Sequence, residues 1–236
     1  MFRNLIKFTA DWENVVFPQI CICCGEVIPV KDHLICPFCL TNRFPETEAG
    51  MCPSTSDVIL PESVYQQYAL WSFDKGGALQ GLLHSLKYDG LAGVGVETGV
   101  MLGKRLRDHY LTNYIWPPEN YILLPVPLHP AKKRMRGFNQ ARLIATGIGK
   151  ATGIDVADDG VARRTRNTRS QTGFSVDKRM HNVHGAFEIS ASGHIKGKAV
   201  IIVDDVFTTG ATTFELAMQC WQSGAVTCLI ATVAQA

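Results

Sequence analysis

Val200-Ile201-Ile202-Val203-Asp204-Asp205-Val206-Phe207-Thr208-Thr209-Gly210-Ala211-Thr212-Thr213 decides the fold. The first four residues are β-branched. A run that short and apolar on both faces reads as a buried strand of a parallel sheet. Asp204 and Asp205 are expected to close the strand. A Thr/Gly turn follows, and apolar spacing from Phe214 to Trp221 predicts a helix.

A strand, a tight turn and a helix N-terminus together make an anion site. Free backbone N–H groups point outward there, and the helix dipole favours negative charge. Gly210 lets the backbone turn and approach a ligand. Hydroxyls of Thr208, Thr209, Thr212 and Thr213 add donors for phosphate oxygens. Carboxylates would repel a phosphate, so Asp204 and Asp205 suit sugar hydroxyls or a Mg²⁺ held through water. One ligand needs a 5-phosphate loop, a diol acceptor and a metal: phosphoribosyl pyrophosphate (PRPP). The segment resembles the PRPP loop of type I phosphoribosyltransferases. An ordinary strand, cap and helix is the competing reading.

Length and charge bound the rest. The chain of 236 residues suffices for one or two domains, and its net charge of +2 does not announce a nucleic-acid binder. Any basic surface must be local. No apolar run is long enough to span a membrane. Residues 1–17 lack a signal peptide's apolar core, so a cytoplasmic location is expected, with no membrane insertion. Loose helical spacing there suggests a short docking helix.

Six of the eight cysteines fall in residues 18–60. Cys21 and Cys24, then Cys36 and Cys39, form two CxxC knuckles, the pattern of a closed structural Cys₄ zinc site. Metal binding would supply folding energy to so short a segment. Free thiols or a redox CxxC are the alternatives. Cys23 reads as a spare thiol. Cys52 resembles the remnant of a third knuckle, but Thr55 stands where its partner would be. The expected domains are therefore residues 1–60, a helix and zinc ribbon, and residues 61–236, an α/β domain.

Within the second domain, Tyr68 to Phe73 reads as a strand. Gly76 to Tyr88 and Val94 to Tyr110 read as helices. Lys87 could reach a phosphate or be a solvated lysine at a helix end. Tyr121 to Val126 is another buried strand. Lys132, Lys133, Arg134 and Arg136 then form a basic loop opening a helix that runs to about Lys150. Residues 163–184 hold five arginines, one lysine and one aspartate, with no helical period. They read as a mobile hood. Phe187 to Ile189 reads as an edge strand and Ala225 to Val233 as a last buried one.

Three blocks then resemble one family. Pro125-Val126-Pro127 through Arg136-Gly137-Phe138-Asn139-Gln140 is the first. Gln171 with Arg179 and Asn182 is the second, and Asp204 to Gly210 the third. Together they are similar to the ComF family, which includes competence-associated proteins and the GntX branch; Leu86-Lys87-Tyr88 resembles a further family motif. The resemblance implies a type I phosphoribosyltransferase-like parallel sheet with flanking helices and an N-terminal Cys₄ zinc ribbon. It implies that Asp204 and Asp205 face the ribose and metal. Val206, Phe207, Thr208, Thr209, Gly210, Ala211 and Thr212 would form the phosphate loop, with Lys87 and Arg136 on the phosphates. Lys132, Lys133, Arg134, Arg164, Arg169, Gln171 and Arg179 would serve the hood or single-stranded DNA. Function is expected in DNA uptake, with PRPP, single-stranded DNA and uptake-machinery proteins as partners. Phosphoribosyl transfer to an unidentified acceptor and PRPP sensing are the alternatives.

Overall fold

The computed structural model describes residues 18–28, 33–45, 47, 59–88, 90–108, 117–166 and 184–236. The expected helix in residues 1–17 lies outside these. So do Cys52, Thr55 and the hood positions Arg169, Gln171, Arg179 and Asn182. Among the described residues no helix is long and apolar enough to cross a membrane.

Four parallel strands form the sheet, in the order β1 (Val64–Ser72), β6 (Thr227–Gln235), β5 (Ala199–Phe207), β2 (Tyr121–Pro125). A single parallel bridge from Leu123 to Val156 continues it beyond β2. The β5 run is apolar throughout because both its faces are covered. Ala199, Ile201 and Val203 face one core, and Val200 and Ile202 face the other. The first core is closed by α2 (Ala78–Tyr88), α3 (Ala92–Leu106) and α5 (Gln140–Thr152). The second is closed by α6 (Ala211–Gln222) and a small antiparallel pair, β3 (Ala162–Arg164) with β4 (Phe187–Ile189). Two helix layers around a parallel sheet place any ligand at the strands' C-terminal ends.

Four expectations need correction. Strand β5 does not stop at the carboxylates: β6 runs beside it, pairing Asp204 with Thr232, Val206 with Ala234 and Phe207 with Gln235. The basic stretch is not a loop but a helix, α4 (Pro130–Arg136), with Pro at its first turn and left-handed Gly137 ending it. Lys133, Arg134 and Arg136 sit in its last turn, where the C-terminal carbonyls favour cations. Asn139 then caps α5 separately. Finally, Arg163 and Arg164, expected in the hood loop, belong to β3, which pairs with the expected edge strand Phe187–Ile189 in a two-stranded sheet.

Helices α3 and α5 touch backbone to backbone. A Cβ on Gly99 would lie 2.1 Å from the Ile144 carbonyl oxygen, and one on Gly147 would lie 2.2 Å from that of Val96. Only glycine permits this approach.

The N-terminal segment packs onto the same core. Ile28, Ile35 and Phe44 are buried in it, and the Phe44 and Trp71 rings lie 4.7 Å apart. Glu97 of α3 accepts from the Leu34 N–H at 2.7 Å and from His33 Nδ1 at 3.0 Å.

Candidate functional site

Strand β5 carries the two carboxylates shortly before its C-terminal end. Asp204 Oδ1 accepts from the Asp205 N–H at 2.9 Å. Lys87, in the last turn of α2, reaches Asp205 Oδ2 at 2.6 Å. Its side chain is 26% exposed, so it is not the solvated lysine of the bland reading. Burial opposes its charge, but the carboxylates of Asp205 and Asp204 override this and hold its ammonium above the ordinary range. Burial first, then the neighbouring Asp205 charge, pushes the Asp204 carboxyl up to about 7.

Cations close the site from two sides. Arg136 lies over the Tyr88 ring, 5.3 Å from its centroid, and donates to Gln140 Oε1 at 3.1 Å. Arg164 lies over Phe187 at 5.2 Å. Burial lowers the pKa of Arg164, against the pull of Asp204. Lys132 is lowered too, by burial and then by the charges of Arg164 and Arg136. Three cations thus crowd together beside a carboxylate pair. An anion placed among them would relieve like-charge repulsion.

The turn expected to hold a phosphate follows β5 directly. Gly210 has φ 74°, and any Cβ there would meet the Phe214 ring at 2.4 Å. Thr209 Oγ1 is buried and has no partner among the described residues. Thr208 is exposed. Thr213 is spent on the helix, its hydroxyl donating to the Gly210 carbonyl at 3.1 Å, so it is no phosphate donor.

The remaining basic residues of α4 face elsewhere. Lys133 pairs with Asp159 at 2.7 Å, and Arg134 is exposed. Asp159, which Arg142 also approaches at 3.7 Å, was not singled out from sequence. Nor were the ring shelves under Arg136 and Arg164. Tyr88 stands beside Lys87 in the Leu86-Lys87-Tyr88 motif, but nothing local links Phe187 to Arg164 across a strand pair.

The four knuckle cysteines converge. The Sγ atoms of Cys21, Cys24, Cys36 and Cys39 all lie within 4.8 Å of one another. Cys24 and Cys36 are 3.7 Å apart, against about 3.8 Å for thiolates 2.3 Å from a tetrahedral Zn²⁺. Burial opposes ionisation of Cys21, but N–H groups of Cys36, Cys23 and Cys24 bring its thiol down to about 6. Gly25, at φ 77°, turns the first knuckle. Cys36 caps α1 (Pro37–Asn42) and so presents the second. Cys23 stands outside the cluster, its thiol pushed up to about 12 by burial and by Cys21. This set can hold a metal ion such as zinc.

Fold and cysteine cluster define the class: an α/β protein with a phosphoribosyltransferase-like parallel sheet and an N-terminal Cys₄ ribbon. No family model matches the chain. The DNA utilization protein YhgH of Escherichia coli K12 is 26% identical over 218 residues, 88% of this chain and 93% of the relative. Competence protein F of Haemophilus influenzae is 32% identical over 112 residues, 47% of this chain and 48% of the relative. Competence protein ComFC of Bacillus subtilis is 25% identical over 101 residues, 42% and 37% of the two chains. The chain is thus similar over most of its length to a DNA utilization protein and over shorter stretches to two competence proteins, in keeping with the resemblance to the ComF family.

Proposed function

We propose that this chain is a PRPP-binding protein that assists DNA uptake, with single-stranded DNA held on its basic surface. The observation that carries the reading is the Asp204–Asp205 pair near the end of β5, met by Lys87 at 2.6 Å and followed by a Thr/Gly turn into α6. Asp204 and Asp205 would hold the ribose hydroxyls and, through water, a Mg²⁺ on the pyrophosphate. Residues 206–212 would take the 5-phosphate, with Thr209 Oγ1 supplying a donor that has no protein partner among the described residues. Lys87, Lys132, Arg136 and Arg164 would face the pyrophosphate. By the resemblance, Arg169, Gln171 and Arg179 would serve the hood or the single strand. Competence and DNA utilization in the relatives' names support the DNA half of the reading. Residues 1–60 would form a zinc-bearing docking module on the domain of residues 61–236. Pyrophosphate release on incubation with PRPP and Mg²⁺ separates transfer from binding. Release with PRPP and Mg²⁺ alone would mean that the phosphoribosyl group passes to water, and release only when an acceptor is added would make the chain a phosphoribosyltransferase. Binding without release supports the carrier reading, and no PRPP binding at all rejects it.

A further inference from the structure

Helix α4 divides the basic run between two sites. Lys132 and Arg136, four residues apart, lie on one face, with Lys132 also near Arg164. Lys133 and Arg134 instead line a separate cavity of about 500 Å³ between α4 and the β3–β4 pair. Its apolar lining includes Leu124, Pro127 and Ala157. Five cations line it against three carboxylates. Most of these charges are already satisfied. Lys133 and Arg142 approach Asp159 at 2.7 and 3.7 Å, and Arg163 approaches Glu188 at 3.8 Å. Arg134 has no side-chain partner among the described residues. Arg164 lies on the wall shared with the Asp204 site.

We propose that this cavity binds one nucleoside monophosphate unit, its base against the prolines and its phosphate on Arg134. Apolar lining beside several guanidinium groups suits a heteroaromatic ring, which stacks on such groups. The excess positive charge calls for an anionic tail. The volume falls within the range of a small-ligand pocket and is too small for a duplex. A strand would therefore enter by its end or with one nucleotide turned out of its stack. The inference deepens the proposed DNA reading and rests on it for the source of the nucleotide, not for the chemistry of the cavity.

Calorimetry on the full chain tests it with deoxyadenosine 5′-monophosphate and with deoxyribose 5-phosphate. The nucleotide should bind tighter by about tenfold, the change that base stacking gives. Arg134→Glu, an exposed substitution, should weaken both probes by about tenfold, the loss of one charge-assisted contact. PRPP–Mg²⁺ should bind that variant within about twofold of wild type, since Arg134 lies off the Asp204 site. Equal affinity for the two probes, or no effect of Arg134→Glu, overturns the cavity. Oligothymidylates with and without abasic ends separate the sources. Loss of affinity on removing the end bases assigns the site to a strand terminus. No loss, with the free nucleotide still bound, assigns it to a free nucleotide. If the nucleotide binds but no oligonucleotide does, the cavity stands and the DNA reading falls.

Discussion

Two carboxylates on adjacent positions of one strand cannot both ionise beside a partly dry wall without cost. Asp204 bears most of that cost, its carboxyl pushed up to about 7 by burial and then by Asp205. In the unfolded chain it would titrate near about 3.9. Between these values the native state binds more protons than the unfolded one. Stability should therefore fall as pH rises through this window and level off above it. Asp204→Asn should flatten that fall. Denaturation midpoints measured across the window, without added magnesium, decide it, and an unchanged slope would place the titrating group elsewhere. Lys87 makes the complementary case. Lys87→Met leaves Asp205 with its cation gone, and PRPP–Mg²⁺ affinity should drop by about tenfold, the loss of one charge-assisted contact. Calorimetry showing unchanged affinity would remove Lys87 from the site. Sequence gave Lys87 two readings, because a helix-end lysine looks alike whether it is solvated or paired. Only the return of β5 beside α2 brings Asp205 to it.

At the scale of elements, two glycines predict opposite outcomes. Gly99→Ala drives a methyl group into the Ile144 carbonyl at the α3–α5 contact. It should cost about 1–3 kcal/mol, the usual range for overpacking. Gly81, exposed within α2, has nothing within 4 Å of the site where its Cβ would be. Gly81→Ala should stabilise by about 0.5–1 kcal/mol through helix propensity. Thermal melts of the two variants should move apart, and movement in the same direction would contradict the packing. The α3–α5 approach was not legible beforehand, since small residues three and four apart do not name their partner. Strand β5 was legible because burial on both faces leaves one unbroken apolar run. Its end was not, because Asp204 to Phe207 stays paired through β6, a partner distant in sequence. The helix α4 had its signals in plain view: His129 and Pro130 at one end and Gly137 at the other. The run of cations between them outweighed those signals and read as a loop. Strand β3 spans three residues, too few for alternation to register, whereas the equally short β4 reads as a strand at Phe187 to Ile189.

For the whole molecule, the ribbon shares one core with the inner face of the sheet, so metal and fold are linked. The Cys₄ cluster should carry about one zinc per chain. Cys36→Ser should lose that metal and lower the melting temperature, since metal binding contributes folding energy. Glu97→Gln should keep the metal while loosening the contact at His33 and Leu34. Metal analysis beside hydrogen exchange separates the two variants, and full zinc in Cys36→Ser would reject the assignment. The second linkage joins the two proposed ligands. Arg164 feels Asp204 on one side and lines the nucleotide cavity on the other. Lys132 is depressed by burial and by Arg164 and Arg136, so cationic charge is in excess before any ligand arrives. The first anion to bind relieves that repulsion, and the second finds less left to relieve. PRPP and single-stranded DNA should therefore weaken one another by about fivefold, at the low end of ordinary coupling between sites. Raising salt should weaken DNA binding, since each phosphate contact releases counterions. It should also shrink the coupling, because screening reduces the repulsion on which it depends. Fluorescence anisotropy of a labelled oligonucleotide, titrated with PRPP–Mg²⁺ at two salt concentrations, measures both effects. Linkage requires the same factor when DNA is added to a PRPP titration. If PRPP instead tightens DNA binding, the shared cations are not in competition, and PRPP acts as a signal that licenses the strand to bind.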